Sequence, residues 1–219
     1  MLVKDRMTRH PILISPTTLA TEAQNIMAEN NIRHLPVAGD GKRLLGLITR
    51  QQLAMKPDDL GSLNVWEISR YLGRLTAAKI MLRAEQVITI SPDRTIERAA
   101  RILTDNKIGC LPVVEDDQVV IGILTETDML QAFQEMLGLP SEGVRVTMRM
   151  PNRKGEFNKL TTVIAQKGWG IMGIGSFPSP RRPDSYDMVL KIPHVGVEEV
   201  QAALAQVPDQ EIIDIRTVA

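Results

Sequence analysis

The chain has 219 residues, 43% of them hydrophobic, and balances 26 Lys+Arg against 26 Asp+Glu. That length sets a prior of one or two domains, and a formal charge of zero argues against a protein built to grip a nucleic-acid backbone or an anionic membrane. Aromatic content of 3% leaves few stacking platforms for single-stranded nucleic acid, and the single Cys110 excludes an intramolecular disulfide framework and fits a reducing cytosol.

From the start of the chain, the run MLVKDRMTRHP has neither the apolar stretch nor the small-residue cleavage site of a signal peptide. No segment approaches the roughly eighteen apolar residues of a membrane span, so a cytoplasmic location is expected. Residues 15–53 then recur 76 positions later, as Ser15 and Ser91 do. Pro16 matches Pro92, Ala23 matches Ala99, Ile32 matches Ile108, Leu35-Pro36-Val37 matches Leu111-Pro112-Val113, Gly46 matches Gly122, and Thr49 matches Thr125. An ungapped match over about forty positions is an internal repeat, and two copies make a paired module, not a solenoid.

Each copy reads as β-α-β-β-α. A strand closed by Ser-Pro (Ile12–Ser15, Val87–Ser91) precedes a helix (Leu19–Asn30, Thr95–Asp105) whose apolar positions, such as Leu19, Ala23, Ile26 and Met27, fall at helical spacing. A strand through Leu-Pro-Val, a turn (Gly39–Gly41, Glu115–Gln118) and a second strand (Leu44–Ile48, Val119–Leu124) follow, and the last helix opens at Thr49 or Thr125. One such unit buries its sheet poorly, so two packed about a pseudo-twofold are expected to share a core. The arms Met1–Met7 and Thr76–Arg83 resemble each other, and each is expected to lead into its own copy's first strand. Between the copies, Leu63, Trp66, Tyr71 and Leu75 suggest a helix with one apolar face, with the aromatics as packing residues.

After Leu139-Pro140-Ser141 the pattern changes. Val144, Val146, Met148 and Met150 alternate with Arg145, Thr147 and Arg149, as on a strand with one face buried. A turn (Pro151–Gly155), a helix (Phe157–Lys167), strands Trp169–Phe177 and Tyr186–Ile192, a helix (Val197–Gln206) and a strand (Glu211–Val218) follow. This β-α-β-β-α-β sequence is the ferredoxin-like order. The expected organisation is repeat 1 at 1–60, a linker helix at 61–76, repeat 2 at 77–138, and a separate α+β domain at 143–219.

The stretch Gly122–Leu130 carries the chemistry. It reads as a buried strand running into a helix, with Thr125 at the junction and Asp128 three residues on. Free N–H groups at a helix start attract phosphate, and a carboxylate one turn in can accept from both hydroxyls of a ribose. The same Thr-x-x-acid spacing is also a helix cap that needs no ligand. Elsewhere the signals are weaker. His10 and His194 stand isolated, without triad spacing. No Cys/His cluster is spaced for zinc. Cys110 reads as a buried thiol, and Arg181 and Arg182 as solvated loop charges. Gly173 and Gly175 lack the strand–turn–helix context of a dinucleotide fingerprint.

The duplicated unit, with Leu-Pro-Val in its middle and Gly-x-x-Thr-x-x-Asp at its end, resembles a tandem pair of CBS domains (a Bateman module). The last third resembles an ACT domain, through its element order and Gly155 at the first strand-to-helix turn, although Asn152 and Lys154 depart from that family's pattern. The CBS–CBS–ACT order is similar to acetoin-utilisation-type regulatory proteins of bacteria. The resemblance implies two clefts for adenosine derivatives (AMP, ADP, ATP or S-adenosylmethionine) as regulatory ligands, not cofactors. One cleft would use Thr125 and Asp128, with adenine near Ile12, Ile32, Arg33, His34 and Pro36, and with Gly109 and Cys110 facing phosphates. The other would use Thr49 and Gln52, with adenine near Ile88, Ile108, Cys110 and Pro112, and with Arg33 and His34 toward phosphates. The ACT-like domain would bind an amino acid near Asn152 and Gly155, or mediate assembly, and a homodimer is implied.

Gln52 stands where the other copy has Asp128, so it forfeits a charge-assisted hydrogen bond of about 1.5–3 kcal/mol. The Asp128 cleft is therefore expected to hold adenosine better. With no paired acid and base and no activated nucleophile in view, a non-catalytic ligand sensor is the first expectation, and a scaffold with non-binding clefts the alternative.

Overall fold

A computed structural model describes residues 1–53 and 74–218. The chain divides into two compact units, Met1–Met129 and Leu130–Ala219. Of the helix expected between the copies, Leu63, Trp66 and Tyr71 lie outside the described residues.

In the first unit the elements run α1 (Val3–Arg6), β1 (Thr8–Arg9), α2 (Ala20–Glu29), β2 (His34–Ala38), β3 (Leu44–Thr49) and α3 (Arg50–Leu53), then α4 (Ala77–Ile80), β4 (Leu82–Arg83), α5 (Ile96–Asn106), β5 (Cys110–Val114) and β6 (Val120–Thr125). The helix α6 (Glu126–Met136) starts in this unit and ends in the second. Local chemistry sets the boundaries. Thr95 caps α5 by accepting from the Arg98 N–H at 3.3 Å, and Lys107, left-handed with φ 53°, ends it. The strands expected over Ile12–Ser15 and Val87–Ser91 shrink to single parallel bridges, Ile14 to Val37 and Ile90 to Val113. Proline follows each Ser, forces extended backbone before it and supplies no donor after it.

The arms are exchanged between the copies: each precedes its own copy's first strand in the chain but pairs with the other copy's sheet. Strand β1, ahead of the first copy, pairs with β6 of the second (Thr8 opposite Ile123), giving the sheet β1-β6-β5. Strand β4, ahead of the second copy, pairs with β3 of the first (Leu82 opposite Leu47), giving β2-β3-β4. Val3 and Met7 accordingly pack with Ala99, Leu103, Leu111 and Leu124. Ala77, with Ile80 and Met81, packs with Ala23, Met27, Leu35 and Ile48. Each fully buried aliphatic side chain contributes roughly 1.5–3 kcal/mol, so each arm ties the opposite copy's core. Between the copies, Leu47, Cys110 and Ile123 form one shared cluster, and Leu44, Val114 and Val120 another.

The second unit continues with β7 (Gly143–Pro151), α7 (Glu156–Gln166), β8 (Gly173–Pro178), β9 (Ser185–Ile192), α8 (Val197–Leu204) and β10 (Glu211–Val218). Its sheet is antiparallel in the order β10-β7-β9-β8. Val144, Val146, Met148 and Met150 pack against Leu160, Ile164, Val200 and Leu204 of the two helices. The opposite face is not simply wet. Thr147, Asp187 and Lys191 are buried on it, and Asp187 takes a bidentate pair from Arg149 at 2.8 and 2.9 Å. That guanidinium, and the Ser179 hydroxyl after it, holds the Asp187 carboxyl below its ordinary range. Among the described residues, no helix is long and apolar enough to cross a membrane.

Candidate functional site

Strand β6 delivers Thr125 to the start of α6, and the helix geometry folds Asp128 back over that residue. Asp128 Oδ2 accepts from the Thr125 N–H at 2.6 Å and from its hydroxyl at 2.8 Å, while Thr125 Oγ1 accepts from the Asp128 N–H at 3.4 Å. This is a capping box. It uses one carboxylate oxygen and leaves Oδ1 without a hydrogen bond among the described residues. Capping and ligand binding are therefore compatible on one side chain.

The first copy repeats the device with an amide. Gln52 Oε1 accepts from the Thr49 N–H at 2.9 Å and also from the Thr49 hydroxyl, and the Gln51 N–H donates to Thr49 Oγ1 at 3.2 Å.

Each device opens on a cleft. Thr125 and Asp128 line a cavity of about 420 Å³ together with Thr8, Ile123, Ile12 and the run Asn30–His34. Thr49 and Gln52 line one of about 270 Å³ with Leu47, Leu82, Gln86, Ile88 and the run Lys107–Cys110. The larger falls within the usual range of roughly 300–1,000 Å³ for small-molecule sites and the smaller just below it. In each, one copy supplies the capped acid or amide, and the other supplies a partly exposed isoleucine pair, Ile12 with Ile32 or Ile88 with Ile108. Because the arms are exchanged, Thr8 and Leu82 also reach the clefts.

Several expected site residues stand elsewhere. Arg33, expected at both clefts, lines the Asp128 cleft and not the Gln52 cleft, and so gives the Asp128 cleft a cation. Gly109 and Cys110 line the Gln52 cleft and not the Asp128 cleft. The reason is that the run entering each middle strand, Asn30–Arg33 in the first copy and Lys107–Cys110 in the second, lines a single cleft. Pro36 and Pro112 line neither; both are buried, and their carbonyls accept from Ile14 and Ile90. Lys107, which the sequence did not single out, is the cation of the Gln52 cleft among the described residues. Its signal was the position two residues before Gly109, equivalent to Asn31 before Arg33.

His34 lines both clefts. A Cβ added at Gly109 would lie 3.2 Å from His34 Nε2 and 3.4 Å from Glu126 Oε2, so the glycine makes room for the imidazole between the copies. Burial, and Arg33 second, bring the His34 pKa down to about 4. Burial, with Glu126 second, pushes the Cys110 thiol up to about 12, an inert protonated group at neutral pH. Among the described residues no cluster of His, Cys, Asp and Glu could hold a metal.

In the second unit, the Asn152–Gly155 turn is occupied by the chain's own charges. Glu156 is buried and accepts from Arg153 and Lys159 at 2.9 and 3.0 Å, and both cations also reach Asp209. Lys159 first among these partners holds the Glu156 carboxyl below its ordinary range.

Comparison with known proteins agrees with this architecture. A homoserine O-acetyltransferase of Methanosalsum zhilinae is 30% identical over 122 residues, 56% of this chain but 22% of that enzyme. The chain thus spans about a quarter or less of the enzymes first matched. A putative acetoin utilization protein (AcuB) of Vibrio cholerae is similar in structure, with a TM-score of 0.53 and 29% identity over 64% of this chain and 94% of that one. CBSX2, a CBS-pair protein of Arabidopsis thaliana solved in complex with AMP, gives a TM-score of 0.51 at 29% identity, over 60% of this chain and 95% of that one. The CBS domain family matches residues 3–57 and 77–135, more than half of the chain, which therefore belongs to the CBS domain family as a tandem pair.

Proposed function

We propose that this chain is a non-catalytic regulatory sensor that holds an adenosine-containing ligand (AMP, ADP, ATP or S-adenosylmethionine) in its Asp128 cleft. The observation that carries the reading is the free Oδ1 of Asp128, whose Oδ2 is tied to Thr125, at the rim of a cleft with Ile12 and Ile32 on its far side. A carboxylate oxygen can accept from a ribose diol, the apolar pair can flank a base, and Arg33 can meet phosphate. The AMP complex of CBSX2 supports the same ligand class. A ligand that prefers one arrangement of the two copies shifts the chain toward it. A thermal-shift panel of the four ligands tests the sensor reading: a ligand at a hundredfold excess over its Kd stabilises by about 2.7 kcal/mol. No shift with any of the four would favour a scaffold with non-binding clefts.

The C-terminal unit, residues 143–219, is in this reading an ACT-like, ferredoxin-like domain. Its β-α-β-β-α-β order and its sheet order support that assignment. The self-paired turn at Glu156 favours assembly over amino-acid binding near Asn152 and Gly155. Leu130, Phe133 and Met136, 63%, 59% and 47% exposed along one stripe of α6, support a homodimer. Sedimentation of Phe133→Glu against the parent chain tests it, with a shift to monomer expected and an unchanged mass contradicting it.

A further inference from the structure

The two clefts present opposite hydrogen-bonding chemistry at equivalent positions. On Asp128 the atom left over after capping is a carboxylate oxygen, which accepts. On Gln52 the oxygen is taken by the Thr49 N–H. Flipping the amide would set donor against donor, so the atom left over is Nε2, which only donates. Gln86, on the same cleft, repeats the arrangement: its Oε1 accepts from the Arg83 N–H at 3.0 Å and its Nε2 has no partner among the described residues. Lys107 adds a cation, and among the described residues no Asp or Glu lines this cleft. Among the described residues two amide donors and an ammonium line this cleft with no carboxylate, so a ribose diol placed there would meet donors where it needs an acceptor.

We infer that the Gln52 cleft takes a nucleoside whose sugar carries a phosphate at the 2′ or 3′ position, where the Asp128 cleft takes one with a free diol. The phosphate oxygens accept from Gln52 Nε2, Gln86 Nε2 and the Lys107 ammonium, each bond being charge-assisted. The nucleoside part rests on the reading proposed for the Asp128 cleft; the sugar phosphate rests on the amide geometry and on Lys107. The two clefts then report two different nucleotides and do not compete for one.

The test is calorimetric titration of the full chain with adenosine 3′-monophosphate and, separately, with AMP. The variants are Gln52→Glu, Lys107→Gln and Asp128→Ala, each checked for an unchanged far-ultraviolet spectrum. Gln52→Glu keeps an oxygen for the Thr49 cap and turns the free atom into an acceptor. It is expected to weaken adenosine 3′-monophosphate about tenfold or more and to leave AMP unchanged. Lys107→Gln, on an exposed side chain, is expected to weaken the same ligand severalfold. Asp128→Ala is expected to remove AMP alone. Adenosine 3′-monophosphate that binds Gln52→Glu as tightly as the parent, or does not bind the parent while AMP does, overturns the inference and leaves the sensor reading standing. Loss of both ligands from the parent chain overturns both.

Discussion

Met7 sits directly over Gly122, although the two belong to different copies. A Cβ at Gly122 would stand 2.5 Å from the Met7 sulfur, and one at Gly46 would stand 2.6 Å from that of Met81. The glycines are the floor on which the exchanged arms lie, and any side chain there pushes an arm off the opposite sheet. Gly122→Val is expected to destabilise the first unit by about 1–3 kcal/mol, the usual cost of overpacking. Urea unfolding measures it, and a midpoint equal to that of the parent would mean that β1 does not lie on β6.

His34 makes the first unit sensitive to acid. Its folded pKa, brought down from 6.5 to about 4 by burial, means that the unfolded chain binds the proton first on acidification. Stability from the neutral imidazole is therefore complete above about pH 6.5 and is lost as pH falls from there through 4. The parent chain is expected to lose more stability between pH 7 and pH 5 than His34→Gln does. Equal losses in the two would show that the imidazole is as well solvated folded as unfolded.

Lys191 is 2% exposed, and its Nζ has no hydrogen-bond partner among the described residues. Its stem passes under Gly138 and Gly143, where added Cβ atoms would lie 3.1 and 3.4 Å from it. Replacing a buried unpaired donor by an apolar side chain of similar length recovers about 1–3 kcal/mol. Lys191→Met is expected to raise the melting temperature, and a lower one would reveal an unrecognised partner for the ammonium.

Much of the first unit was legible from periodicity, because the repeat doubled every signal. Helices α2 and α5 and strands β2, β3, β5 and β6 lie within a residue or two of where their patterns put them. The arm exchange was not legible. Leu2-Val3-Lys4 and Ala77-Ala78-Lys79 have the same small and apolar character, so either sheet could accept either arm, and only three-dimensional proximity decides. Arg33 was expected at both clefts and lines only the Asp128 cleft, and Gly109 was expected at the Asp128 cleft and lines the other, for a related reason: spacing says which residues precede a strand, not which side of it they face. That the capping residue differs between the clefts, Gln52 against Asp128, was visible in the sequence. That capping leaves a donor in one and an acceptor in the other was not, since it depends on which amide atom meets the Thr49 N–H.

The central claim is that the uncapped oxygen of Asp128 grips a ribose, and calorimetric titration of AMP and S-adenosylmethionine into the parent chain and Asp128→Asn tests it most directly. The asparagine keeps an oxygen on Thr125 and so keeps the helix cap. The account predicts binding of at least one of these ligands at one site per chain, weakened about tenfold or more in Asp128→Asn, from the loss of a charged hydrogen bond, at a nearly unchanged melting temperature. Equal affinity in the two proteins, or no binding of either ligand to the parent, would contradict it.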